Sequence, residues 1–224
     1  GTPLEAKVML PSCVPATAFE TSGATLDGAD TEKFIGEDFI HGLGEFMNYP
    51  GVIYKDSDVL KKLEAARAAN KVIDGHAPNT SGNGLNGYVC TGIQTDHECT
   101  SVDEALEKIS KGMYVHLREG SATRNVAQNC KAVNAMNLRR FIFCTDDRHA
   151  ADLQANGHLD NALRVAVASG MDPVMAVIAA TINSAECYRL YGKGAIAPGY
   201  DADIAVFDDL KDFRCAMTFK AGKL

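Results

Sequence analysis

Four short apolar runs each end in a side chain that can hold a metal ion or carry a proton. They are Leu43-Gly44-Glu45, Val72-Ile73-Asp74-Gly75-His76, Gly92-Ile93-Gln94-Thr95-Asp96-His97-Glu98 and Phe141-Ile142-Phe143-Cys144-Thr145-Asp146-Asp147. Neutral imidazole and carboxylate are the usual ligands of zinc, iron and manganese, and one carboxylate can bridge two ions. Glu45, His76, His97 and Asp146 are therefore the candidate metal ligands. Taken singly, each has a plainer explanation. A strand-end histidine often only hydrogen-bonds to its surroundings, Glu45 after Gly44 could cap a helix or form a salt bridge, and Asp146 could cap the next segment. The conjunction is harder to dismiss, because a (β/α) barrel gathers the carboxyl ends of strands that lie far apart in sequence. Metal-dependent hydrolysis is the chemistry this pattern predicts.

Those side chains must be positioned by strands, and strand-like runs do alternate with helical patterns through most of the chain. Strands are predicted over 8–10, 40–45, 71–76, from 92, over 113–117 and over 141–144. Apolar spacing predicts a helix over 58–67 with Asp56 or Ser57 as N-cap, a short helix over 85–90, and one over 105–110 behind a Ser101–Glu104 capping box. Further helices are predicted over 122–135 and 160–169, and from Asp172-Pro173, a cap followed by proline at the first helical position. Asn48-Tyr49-Pro50-Gly51 and residues 78–84 read as loops, and 201–207 and 218–223 as a turn, a strand and a second strand entering a hairpin. Short strands separated by helices imply parallel pairing with crossover connections. A doubly wound sheet would carry a glycine-rich phosphate turn after its first strand, and none is present, so polar strand ends favour an α/β barrel of the TIM type.

The bulk composition fits that class. A chain of 224 residues, 46% hydrophobic, can bury a substantial core. Its net charge of −7, with no Lys/Arg stripe, argues against a nucleic-acid partner. The longest apolar runs are far too short to span a bilayer, so no membrane partner is expected, and the opening Gly1-Thr2-Pro3-Leu4-Glu5 lacks signal-peptide character. Seven cysteines without a CxxC pair suggest reduced thiols in a cytoplasmic protein.

Longer motifs carry a resemblance. Leu10-Pro11-Ser12-Cys13-Val14-Pro15-Ala16-Thr17, Gly42-Leu43-Gly44-Glu45, Asp74-Gly75-His76-Ala77-Pro78, Asp96-His97-Glu98, Arg118-Glu119-Gly120-Ser121, Cys144-Thr145-Asp146-Asp147-Arg148-His149 and Gly194-Ala195-Ile196-Ala197-Pro198-Gly199 follow one another in order. Together they resemble the adenine deaminases of the amidohydrolase superfamily. The resemblance implies a partial (β/α)8 barrel over 1–192, holding strands three to eight, with part of a small β domain over 193–224. It also implies two divalent ions, manganese or iron with zinc as a further option, held by Glu45, His76, His97 and Asp146.

The implied activity is hydrolytic deamination of adenine to hypoxanthine and ammonia, a purine-salvage reaction. Asp146 would carry the proton, Glu98 would protonate or hydrogen-bond a purine ring nitrogen, and Arg118, Glu119 and Ser121 would contact the base or close a loop over it. The family's first-strand His-x-His pair has no counterpart in this sequence. The expectation is therefore that two barrel strands lie upstream of Gly1 and that activity requires them, from a longer chain or a complementary segment. A homo-oligomer is also expected. The alternatives are another cyclic-amide amidohydrolase, disfavoured by Glu45 where a carbamylated lysine would stand, and an inactive chain that only binds a partner. His149 and His158 are further candidates, His41 is expected to be structural, and His116 has no assigned role.

Overall fold

The computed structural model describes residues 4–17 and 19–224, so the reading of the first three residues falls outside the described ones. The chain forms two compact units, Gly1–Glu98 with Ser110–Met113, and Cys99–Ile109 with Tyr114–Leu224.

In the first unit, β1 (Val8–Leu10), β2 (Ile40–Phe46) and β3 (Val72–Gly75) form a parallel sheet in that order. Three helices fall between these strands: α1 (Gly28–Phe34), α2 (Tyr49–Ile53) and α3 (Ser57–Ala68). Asp56 caps α3 by accepting from the amides of Asp58 and Val59, as the sequence predicts. Residues 48–51 are not a loop. Asn48 accepts from the Gly51 amide and starts α2, whose first turn accommodates Pro50 because an amide there would have no helical partner. After β3 come α4 (Gly82–Cys90) and the two-residue strand β4 (Thr95–Asp96). The predicted strand from Gly92 thus shrinks to two residues, since Gly92 itself has φ +96° and closes the turn after α4. Leu43, Phe46, Leu63, Ile73, Leu85, Tyr88, Ile93 and Met113 make up the centre of this unit's core.

In the second unit, β5 (Tyr114–Arg118) runs parallel to β6 (Phe141–Cys144), with Val115 opposite Phe141 and Arg118 opposite Cys144. Ahead of β5 lies α5 (Val102–Ser110). Its capping box forms by half: Ser101 Oγ accepts from the Glu104 amide, while the Glu104 carboxylate turns to the Thr100 amide at 2.8 Å and to Lys108 at 2.6 Å. The helix predicted over 122–135 is reduced to α6 (Val126–Asn129) and a 3-10 turn, Cys130–Ala132. Side chains compete with the helix at both ends. Asn125 accepts from the Arg118 amide, and Asn134 accepts from the Met136 amide.

Three helices follow β6: α7 (Ala150–Asn156), α8 (Leu159–Ala168) and α9 (Pro173–Ile178), the last capped by Asp172. A π-turn, Ala179–Asn183, leads from α9 into α10 (Ser184–Cys187). Two antiparallel strands, β7 (Ile204–Phe207) and β8 (Cys215–Phe219), close the chain. Phe213 between them is fully buried in a core built from Val115, Leu117, Phe141, Phe143, Leu163 and Ala166. Parallel strands joined by helices make the chain an α/β protein. Among the described residues, no helix is long and apolar enough to cross a membrane.

Candidate metal centre

Glu45 is the penultimate residue of β2, within the strand as predicted. Between the Leu43–Ile73 and Phe46–Gly75 pairs, β2 has one residue more than β3. The bulge so formed at Gly44-Glu45 re-aims the Glu45 side chain relative to a regular strand. A second irregularity, near His41, places that residue inside β2 as well. His76 follows the last residue of β3, and His97 follows the last residue of β4. The two strand ends approach closely because Gly75 has no side chain. A Cβ there would stand 2.0 Å from the Thr95 carbonyl oxygen.

The ends converge on a small space. His76 Nδ1 and His97 Nε2 are 3.4 Å apart, with the rings edge to face at 63°. Glu45 Oε2 lies 3.3 Å from the first nitrogen and 3.1 Å from the second. Glu98 Oε1 lies 3.4 Å from His97 Nε2 and 3.9 Å from His76 Nδ1. His97 is the most enclosed of the four at 8% side-chain exposure, and Glu45 the most open at 41%. Hydrogen bonds from His76 and then His97 hold the Glu45 carboxyl well below the usual carboxylate range, against the opposing effect of burial.

Glu45, His76 and His97 each offer one donor atom that a single cation could share. Metal–ligand bonds of about 2.0–2.2 Å place neighbouring donors about 3.1–3.5 Å apart, which is the spacing these atoms have. Two nitrogens and carboxylate oxygen form a borderline donor set suited to zinc, iron or manganese. The residues fit a divalent ion.

A second layer of hydrogen bonds fixes the backbone behind these side chains. Ser12 Oγ donates to the Glu45 carbonyl at 2.5 Å. Tyr88 Oη donates to the Phe46 carbonyl and accepts from the His76 amide, both at 2.9 Å. Asp96, fully buried, accepts from the Ala77 amide at 2.7 Å and the Glu98 amide at 3.0 Å. Thr95 Oγ1 accepts from the Gly75 amide and donates to Asp74. Asp96 and Thr95 stand beside the histidine motif in the sequence and Ser12 in the motif over 10–17, but the sequence alone does not reveal their roles. Tyr88 carried no signal at all beyond apolar helical spacing.

The other predicted residues are in the second unit. Asp146 lies two residues beyond the end of β6 with φ +48°, the left-handed region that aspartate and asparagine tolerate better than most. Its Oδ2 lies 2.7 Å from Arg118 Nη1, and Asp147 Oδ1 lies 3.2 Å from Arg118 Nη2. The buried guanidinium therefore holds both carboxylates. Glu119 is also buried, and burial pushes its carboxyl upward against the pull of Arg124 and Arg148. Ser121 Oγ donates to Asp152 at 2.5 Å and accepts from the His149 amide at 2.8 Å, tying its loop to the start of α7. His116 is buried in β5, 3.4 Å from the Tyr188 hydroxyl. His158 Nε2 lies 3.3 Å from Thr145 Oγ1.

Parallel strands, interposed helices, and histidine and carboxylate donors gathered near strand ends define an α/β site whose side chains fit a divalent ion. The profile of the amidohydrolase family matches residues 2–224, and the chain belongs to that family. It is 51% identical over 222 residues to an adenine deaminase of Clostridium acetobutylicum, covering 99% of this chain and 39% of that protein. Identity to an adenine deaminase of Nitratidesulfovibrio vulgaris is 50% over 222 residues, with the same two shares. The chain thus spans about two fifths of the length of these curated relatives. Among solved structures, the fold resembles that of a β-aspartyl dipeptidase from Fervidobacterium islandicum AW-1. The TM-score is 0.66 at 16% identity, over 89% of this chain and 61% of the other.

Proposed function

We propose that the protein to which this chain belongs hydrolyses adenine to hypoxanthine and ammonia, with divalent metal ions, manganese or iron first, at the cluster formed by Glu45, His76 and His97. The convergence of those three side chains at ligand spacing carries the reading, and the identity to adenine deaminases supports the substrate. In this reading β1, β2, β3, β4, β5 and β6 are the third to eighth strands of a (β/α)8 barrel, and residues 193–224 belong to a small β domain. A divalent ion there would lower the pKa of water toward neutrality and so supply the nucleophile.

The protein's own groups do the rest. Asp146 accepts the proton of the attacking water and returns one to the departing ammonia, and it is also a fourth metal ligand. Arg118, 2.7 Å away, fixes the orientation of that carboxylate. Glu98 presents its carboxyl to a ring nitrogen of the purine. Arg118, Glu119 and Ser121 contribute to base binding, Ser121 by holding its loop through Asp152. Seven cysteines with no CxxC pair support a cytoplasmic setting, and a homo-oligomer is part of the proposal.

Ammonia release from adenine by the full-length protein, with metal content measured in parallel, tests the reading. His97→Ala should lower both the bound metal and the turnover by at least about tenfold. Full metal content in that variant, or turnover of a cyclic amide but not of adenine by the wild type, would overturn the proposal.

A further inference from the structure

Glu45 and His76 come from different strands, and a helix side chain links their backbones where the bulge interrupts regular pairing. Tyr88 lies on α4 and is fully buried. Its hydroxyl donates to the carbonyl of Phe46, the residue after Glu45, and accepts from the amide of His76 itself. A single oxygen atom thus spans the two segments that present the donors. The phenol hydroxyl has one proton to give and a lone pair to offer, and both are used here. Core packing alone would be satisfied by phenylalanine at this position. The hydroxyl has another use.

We propose that Tyr88 is a positioning residue of the metal centre, setting the separation of the Glu45 and His76 donors through the Phe46 carbonyl and the His76 amide. The proposal rests on the reading that this cluster binds a divalent ion. Asp96 completes the same frame on the other side, bracing Ala77 after His76 and Glu98 after His97. Outer groups that orient metal ligands influence affinity although they never touch the ion.

Cobalt(II) titration of the full-length protein tests it, because the visible absorption of bound cobalt reports donor geometry independently of activity. Tyr88→Phe should weaken cobalt binding about 10–100-fold and change the band shape. Thr31→Val is the reference. It removes another buried hydroxyl bond of the same unit, that from Thr31 to the Asp27 carbonyl, and should leave affinity and spectrum at wild-type values. Wild-type affinity and spectrum in Tyr88→Phe would overturn the proposal, as would an equal loss in Thr31→Val. Should Tyr88→Phe not fold, Asp96→Asn reads the same frame, and unchanged cobalt binding there overturns it. No cobalt binding by the wild type would overturn the metal reading itself, a distinguishable result.

Discussion

Glu45 and Asp203 are both held as anions, and the identity of their partners separates their roles. Glu45 is stabilised by two imidazoles, groups that can exchange a proton for a cation. Asp203 is stabilised by Lys220, then by the Ala221 amide and Lys193, which are fixed donors. These bonds tie β8 and the 193–203 turn together, so Asp203 is structural. Its carboxyl lies well below the usual range in the folded chain. Its contribution is therefore present above the unfolded value near 3.8 and is lost as pH falls through the lower folded value. Asp203→Asn should lower stability to urea at neutral pH, and its deficit against wild type should shrink at about pH 3. A deficit that stays constant with pH would show that the charge contributes nothing.

The donor residues of the candidate site were legible because imidazole and carboxylate stand out at the ends of apolar runs. Their bracing was not. Tyr88 reads as one more apolar position of a helix until its hydroxyl is seen between two strands, and no local pattern encodes that meeting.

At the scale of elements, the site depends on where strands are irregular or closely spaced. The bulge in β2 aims Glu45, and the absent side chain at Gly75 lets β3 and β4 approach until His76 and His97 meet. Gly75→Ala would force a Cβ against the Thr95 carbonyl, at a cost of about 1–3 kcal/mol from overpacking. Urea denaturation would measure that loss, and bound metal should fall with it. Unchanged stability and metal content would mean that the strands can separate freely. Sequence periodicity found α3 and α8 within a residue or two, because their apolar faces are long enough to read. It failed for 122–135, where asparagine side chains capture backbone groups, and for β4, where two residues hold no period.

At the scale of the molecule, each compact unit has its own core, yet neither is a continuous piece of chain. Met113, fully buried among Leu85, Ile93 and the rest of the first core, is separated in sequence from residue 98 by the whole of α5. Met113→Ala should therefore destabilise the first unit by roughly 2–5 kcal/mol, as large-to-small changes in a core do. Hydrogen exchange at Leu43 and Ile73 would register the loss, and unchanged protection there would place Met113 outside that core.

The backbone passes between the units three times, after residues 98, 109 and 113. That interleaving bears on inheritance as well as on folding. A genetic crossover at codon 98 between two diverged relatives would give the first unit a foreign Met113 equivalent, mismatched to the cavity it must fill. Recombination that keeps residues 1–113 together would avoid that mismatch, so the units are poor candidates for exchange as independent cassettes.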